Sequence, residues 1–177
     1  MSEPKPRLSE LAKVVEDLQE RMGEYGPNLY KSEELTRYVL VDPFLKALGW
    51  DTSNPEKVWV DYRLGKGKRR RVDYALFHKE QVIAFVEAEH WGACSQMGQL
   101  QNTLLQLIGY CNLTGVLLGI LTDGGCWLVY DVHKPAPVEG KELLEINFAW
   151  DASKVAQKSL ALSASSIENL LKQAESV

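Results

Sequence analysis

Several residue types and sequence signals are scarce in this chain of 177 residues, and each scarcity closes off a class of protein. Cysteine occurs three times, as Cys94, Cys111 and Cys126, with no CxxC pair. Neither a disulfide framework nor a zinc ribbon is therefore expected, and a reducing, cytoplasmic setting fits best. The three histidines, His78, His90 and His133, show no paired spacing of the kind zinc requires. No run approaches the roughly 20 apolar residues of a membrane span, and the opening MSEPKPRLSE lacks the apolar centre of a signal peptide, so no membrane association is expected. There is no GxxxxGK(S/T) phosphate loop, which argues against a nucleotide-driven motor. Positive charge is not in surplus either. A formal net charge of -4 excludes a broadly basic surface, so any contact with nucleic acid has to be local.

What is present suits one α/β domain. With 45% hydrophobic residues the chain can bury a core of ordinary size without covalent staples. Leu8, Leu11, Val15, Leu18 and Met22 recur at helical spacing, which predicts an N-terminal helical arm over 1–28 that stops near Gly23 and Gly26-Pro27. Its stripe is suited to packing on the core, with pairing in a homodimer as the alternative. Ser32-Glu33-Glu34 opens a second helix that Leu48-Gly49-Trp50 closes, and Pro43 kinks or divides it.

Three strand-like runs follow at 58–64, 71–77 and 82–89, joined by connections short enough for an antiparallel meander. A helix from about Ser95 to Cys111 crosses to a strand at 116–121. Asp123-Gly124-Gly125 then turns that strand into one at 126–132. Leu143 to Phe148 has the character of an edge strand. Ser165-Ser166-Ile167-Glu168 has the form of a capping box ahead of a last helix. The reading is a mixed sheet of about five strands flanked by helices, with a core over 29–150 and a helical tail over 151–177.

Two features suggest chemistry. Glu87 and Glu89 lie two residues apart in the third strand, so the pleat sends both to one face, alongside Ile83 and Phe85. Asp73 lies in the preceding strand, and antiparallel pairing can bring it near Glu87. Such acids either cap a strand that emerges into solvent or hold a cation, because adjacent buried carboxylates repel unless something compensates them. Lys66, Lys68, Arg69, Arg70 and Arg71 form the local basic run, readable as a solvated hairpin tip or as a grip on phosphates. The five tryptophans read chiefly as packing, Trp91 excepted.

Larger patterns gather around these residues. They are Ser32-Glu33-x-x-Thr36-Arg37, Val41-Asp42-Pro43-Phe44-Leu45-x-x-Leu48-Gly49-Trp50-Asp51, Arg71-Val72-Asp73-Tyr74-Ala75-Leu76 and Val86-Glu87-Ala88-Glu89. Further along come Gln106-Leu-Ile-Gly-Tyr110 and Leu121-Thr122-Asp123-Gly124-Gly125-x-Trp127-x-x-Tyr130. In this order, over about residues 30–131, they resemble the nuclease domain at the N-terminus of type I restriction enzyme motor subunits, a branch of the PD-(D/E)XK nucleases. The resemblance implies a restriction-endonuclease-like fold in which Asp73 and Glu87, with the Ala88 carbonyl, ligate Mg2+ or Mn2+. Glu33 contributes from its helix, and Gln106 and Tyr110 support the site or touch DNA. Where the family usually has lysine this chain has Glu89, so the resemblance leaves two outcomes open. One is a metal-dependent DNA endonuclease, alone or with separate restriction subunits; the other is an inactive nuclease fold that binds nucleic acid or protein.

Overall fold

The alternating and continuous apolar runs of the sequence become one open sheet flanked by helices in the computed structural model, which describes residues 5–65 and 70–175. Strands β1 (Val58–Arg63), β2 (Arg71–His78) and β3 (Gln81–Ala88) form the expected antiparallel meander. Helix α4 (Met97–Thr114) then carries the chain back to β4 (Leu118–Thr122), which lies parallel to β3. The last strands, β5 (Cys126–Asp131) and β6 (Glu142–Asn147), complete the sheet antiparallel, in the order β1-β2-β3-β4-β5-β6.

The sheet has six strands, not about five. The segment read as a possible edge strand is one: β6 ends the sheet at its edge, pairing Ile146 with Trp127 and Leu144 with Val129. Its sequence, Glu-Leu-Leu-Glu-Ile-Asn, alternates weakly because most of it is only half covered, and period 2 is what strand detection relies on. β4, in contrast, is buried at every position, as a strand flanked on both sides and covered on both faces should be.

Two apolar layers sandwich the sheet. On one face α1 (Leu8–Leu29), α3 (Asp42–Ala47), α5 (Ala152–Ser159) and α6 (Ile167–Glu175) cover Tyr74, Leu76, Val86, Ile120 and Trp127. Leu11, Val15, Leu18, Met22 and Leu29 of α1 and Val155, Ala156, Ile167 and Leu170 of the last two helices share this layer. Phe44 packs between Trp127 and Phe148 with ring centroids 5.0 and 5.1 Å away. The buried Trp50 gives its indole N–H to the Leu162 carbonyl at 2.9 Å, so truncation to alanine would cost about 3–5 kcal/mol. On the other face α4 alone lays Leu100, Leu104, Leu107, Ile108 and Cys111 over Ala75, Phe85, Leu121 and Leu128. No helix among the described residues is long and apolar enough to cross a membrane.

Three local expectations are corrected. α1 does not stop at Gly23 or Gly26-Pro27 but runs to Leu29. Gly26 is a packing seat, since a Cβ there would stand 2.8 Å from the Trp91 ring. Ile83 does not share a face with Glu87. A β-bulge opposite Leu76 and Phe77 turns Ile83 into the layer of α1, while Phe85 stays on the α4 side. The helix opened by Ser32 is divided as Pro43 suggested, but into three pieces: α2 (Glu33–Thr36), a π-helical turn over Arg37–Val41, and α3 with Pro43 in its first turn. A widened turn absorbs the hydrogen bond that proline cannot donate.

Candidate functional site

The sheet opens at one end, and the acids gather there. β2 and β3 remain paired through Tyr74 and Val86, beyond which no ladder pair joins them. The Asp73 side chain fills the gap: its Oδ2 accepts the Ala88 amide at 2.8 Å, replacing a strand-to-strand bond. Glu87, the residue before Ala88, lies close enough to Asp73 for the two carboxyls to act on each other. Burial, then the Asp73 charge, pushes the Glu87 carboxyl up to about 9. The protonated form of Glu87 is thereby favoured at neutral pH.

Two further acids feel the same field. Glu33 sits in the first turn of α2, which Ser32 caps by accepting the Leu35 amide at 3.1 Å. Burial, then the charges of Asp73 and Glu89, raise its carboxyl above the usual glutamate value. Glu89 follows β3, donates its amide to the Thr122 carbonyl at 2.8 Å, and accepts a hydrogen bond from the Thr103 hydroxyl of α4 at 2.8 Å.

Opposing charge comes from Arg37, which the π-helical turn projects toward β2. Its guanidinium lies 3.0 Å from Asp73 Oδ1 and 3.3 Å from Asp61 Oδ1, with only 15% of the side chain exposed. It also donates to the Tyr74 hydroxyl at 3.2 Å and rests over that ring, 4.8 Å from its centroid. Tyr74 in turn donates to Asp42 at 2.9 Å. Asp61 adopts φ +51, a left-handed conformation that aspartate tolerates, where the β1–β2 pairing skips it. Sequence patterns alone do not mark Arg37, Thr103, Asp42 or Asp61 as site residues. Arg37 stands inside a motif, but nothing local indicates that it would face the Asp73 carboxylate.

The other expected residues divide. Gln106 Nε2 donates to the Tyr110 hydroxyl at 2.7 Å along the outer side of α4. It is Thr103, one turn earlier on α4, whose bond to a site acid is resolved. Ala88 is buried, and its amide is spent on Asp73. Arg70 and Arg71 are exposed at the β1–β2 connection, joined there by exposed Arg63 opposite Arg71. Lys66, Lys68 and Arg69 lie outside the described residues.

The hairpin motif at 122–127 has a structural task. Asp123 is 4% exposed, and each of its oxygens accepts two amides: Gly92 and Cys94 on Oδ2 at 3.1 and 3.0 Å, Gly125 and Cys126 on Oδ1 at 3.0 and 2.8 Å. The carboxylate thus fastens the segment leaving β3 to the β4–β5 turn. Gly124, at φ +81, fits only without a Cβ, which would lie 2.7 Å from Leu40.

Asp73 and Glu87 offer hard oxygen donors whose mutual repulsion a cation would relieve, so they fit a divalent ion that keeps several of its waters. Among the described residues no three acidic, histidine or cysteine side chains are placed to enclose an ion by themselves. The site is thus a two-carboxylate platform, not a closed cage.

Among solved structures, the chain is similar to a fragment described as the HsdR subunit of a type I restriction enzyme from Vibrio vulnificus. The two are 26% identical, the match covers 73% of this chain and 25% of that one, and the TM-score is 0.48. The chain therefore spans about a quarter of that protein's length. No family model matches the chain, and no curated protein matches it.

Proposed function

We propose that this chain is a metal-dependent endonuclease-type domain that hydrolyses phosphodiester bonds in DNA in a restriction or DNA-processing setting. The observation that carries this reading is the Asp73–Glu87 pair. It places two acids close together at the open end of the sheet, with Glu87 raised to about 9 by burial and by its neighbour. A fold retains so unfavourable a pair more readily when a ligand relieves it. A bound Mg2+ or Mn2+ would polarise a phosphoryl oxygen and lower the pKa of a coordinated water.

The chain's own residues supply the rest. Asp73 is oriented by Arg37 and the Ala88 amide, and Glu87 gives up its proton when the pair is loaded. Glu89, held by Thr103, is the base that orients the attacking water, in place of the lysine of the similar motif. Arg70 and Arg71 hold the DNA backbone from the same end of β2, Arg71 two residues and so about 7 Å of strand from Asp73.

A second reading has its own observation. Asp73 already has a guanidinium partner and Glu89 already has Thr103, an arrangement that also suits an inactive nuclease fold serving as a nucleic-acid or protein-binding module. A plasmid-nicking assay with Mg2+ or Mn2+ separates the two. Metal-dependent nicking by the wild type that is lost in Asp73→Asn and Glu87→Ala supports the endonuclease. Nicking that is unchanged in Asp73→Asn, or absent from the wild type and restored in Glu89→Lys, overturns it in favour of a lapsed site.

A further inference from the structure

Asp61 is an aspartate at the site to which the metal pair and the base give no task. It stands opposite Asp73 across β1 and β2, between the paired residues Val60–Tyr74 and Tyr62–Val72, yet the two make no ladder pair. Carboxylates that face each other across two strands repel. One nitrogen answers both: Nη1 of Arg37 lies 3.0 Å from Asp73 Oδ1 and 3.3 Å from Asp61 Oδ1. The Asp73 side chain is 14% exposed and that of Asp61 59%, so the guanidinium has one partner in the interior and one in solvent.

The rest of the arginine is anchored. Its Nε donates to the Tyr74 hydroxyl at 3.2 Å, and Tyr74 is fixed in turn by its bond to Asp42 at 2.9 Å. Nη1 lies beyond that anchored nitrogen and already touches both aspartates, so a small rotation shifts it from one to the other while the π-helical turn and the strand stay in place. If Arg37 served only to neutralise Asp73, a second aspartate opposite would add repulsion and nothing else. The backbone of β1 also bends at this residue, to φ +51, a conformation that aspartate accepts more readily than most residues.

We infer that Asp61 is a positioning residue that receives Arg37 when Asp73 takes up a divalent cation. The inference rests on the reading of Asp73 and Glu87 as the metal-binding pair. In the metal-free site Arg37 orients Asp73 as its counter-ion. A guanidinium cannot shed its charge, so to free Asp73 Oδ1 it has to move, and Asp61, 3.3 Å away, offers a paired place. Without Asp61 the guanidinium competes with the ion for the same oxygen. Through the exchange Arg37 keeps its bond to Tyr74, and the Ala88 amide stays on Asp73 Oδ2. Asp61 therefore acts on metal affinity through Arg37, because its own charge faces solvent and is screened there.

The test is a double-mutant cycle on the full chain, read by isothermal titration calorimetry with Mn2+ at fixed pH and physiological ionic strength. Asparagine accepts the left-handed conformation as aspartate does, so Asp61→Asn removes the charge and keeps the backbone. It should weaken Mn2+ binding by about two- to fivefold, the worth of a largely exposed ion pair. Arg37→Gln, which removes the competing cation, should tighten binding by about tenfold. Adding Asp61→Asn to Arg37→Gln should then leave the affinity unchanged within about twofold. Equal weakening by Asp61→Asn in both backgrounds would mean that Asp61 acts by its own charge, and no weakening in either would mean that Arg37 stays on Asp73. Weaker binding in Arg37→Gln would mean that the guanidinium assists loading. Each of these overturns the inference and leaves the metal site standing. A wild type that binds no Mn2+, or that binds it equally well after Asp73→Asn, overturns the metal reading and this inference together. Should Arg37→Gln not fold, a crystal structure of the wild type with Mn2+ decides: Nη1 moved from Asp73 onto Asp61 supports the exchange, and Nη1 still on Asp73 Oδ1 overturns it.

Discussion

Asp123 and Glu87 are two acids at the ends of neighbouring parallel strands, and the fold treats them oppositely. Asp123, just past β4, gives each oxygen two amide donors and pins the segment after β3 to its own turn. Glu87, near the end of β3, is placed against another carboxylate and pushed up to about 9 by burial and that charge. Burial costs a carboxylate most when no donor compensates it. Burial alone therefore does not mark a functional acid; the mark is burial whose compensation is missing from the protein.

The largest effect is expected from Asp123→Ala, which strands four amides in a water-poor place. It should cost about 3–5 kcal/mol of folding stability, read as a fall in the urea midpoint at unchanged slope. A loss no greater than that of an ordinary surface change would mean that the cradle is dispensable and that the two acids differ less than their surroundings suggest. Glu87→Gln should move the other way, stabilising the metal-free protein near pH 8 by about 1–3 kcal/mol, since it removes an acid the folded state resists ionising.

The pH dependence follows with a definite sign. The Glu87 value is about 9 folded against an ordinary 4.5, so the folded protein binds the proton more tightly than the unfolded chain. Its stabilising effect is complete below about 4.5 and is lost as pH rises through about 9, a slope that Glu87→Gln should remove in thermal melts with chelator present. Adding Mg2+ should restore wild-type stability at the alkaline end if the pair accepts the ion. Thr103→Val, which takes away one hydrogen bond from Glu89, should cost only about 1 kcal/mol in the same melts.

The smallest effect belongs to the exposed trio of Glu168 with His78 and Lys79, a control in which solvent does the compensating. The Lys79 and His78 hydrogen bonds hold the Glu168 carboxyl down to about 2, so its support is present above 4.5 and fades as pH falls through about 2. Glu168→Gln should therefore bring a small loss at neutral pH, because solvent screens the trio, and should remove the fall in stability between about 4.5 and 2. A change at neutral pH as large as that of Asp123→Ala would mean that exposed and buried carboxylates count alike in this protein.

Much of the scaffold is legible in the sequence. The meander of β1–β3, the α4 crossover and the hairpin at 123–125 follow from periodicity and turn residues, because each depends on neighbours along the chain. The acids at 73, 87 and 89 are readable too, since a pleat fixes which side chains share a face. The continuation of α1 past Pro27 and the bulge at Ile83 are not. Each depends on a partner from elsewhere: Trp91 against Gly26, and the layer of α1 under Ile83.

The inventory of the site is written in the order of the residues: three acids on adjoining strands, a fourth at a helix start, and a glutamate where the similar motif has lysine. How those charges are balanced is a property of the folded molecule. Folding turns Arg37 onto Asp73, gives Glu89 to Thr103, surrounds Asp123 with amides and leaves Glu87 beside Asp73. Local pattern sets which way a side chain leaves the backbone, whereas the energy of a buried charge depends on donors and charges that arrive from distant parts of the chain.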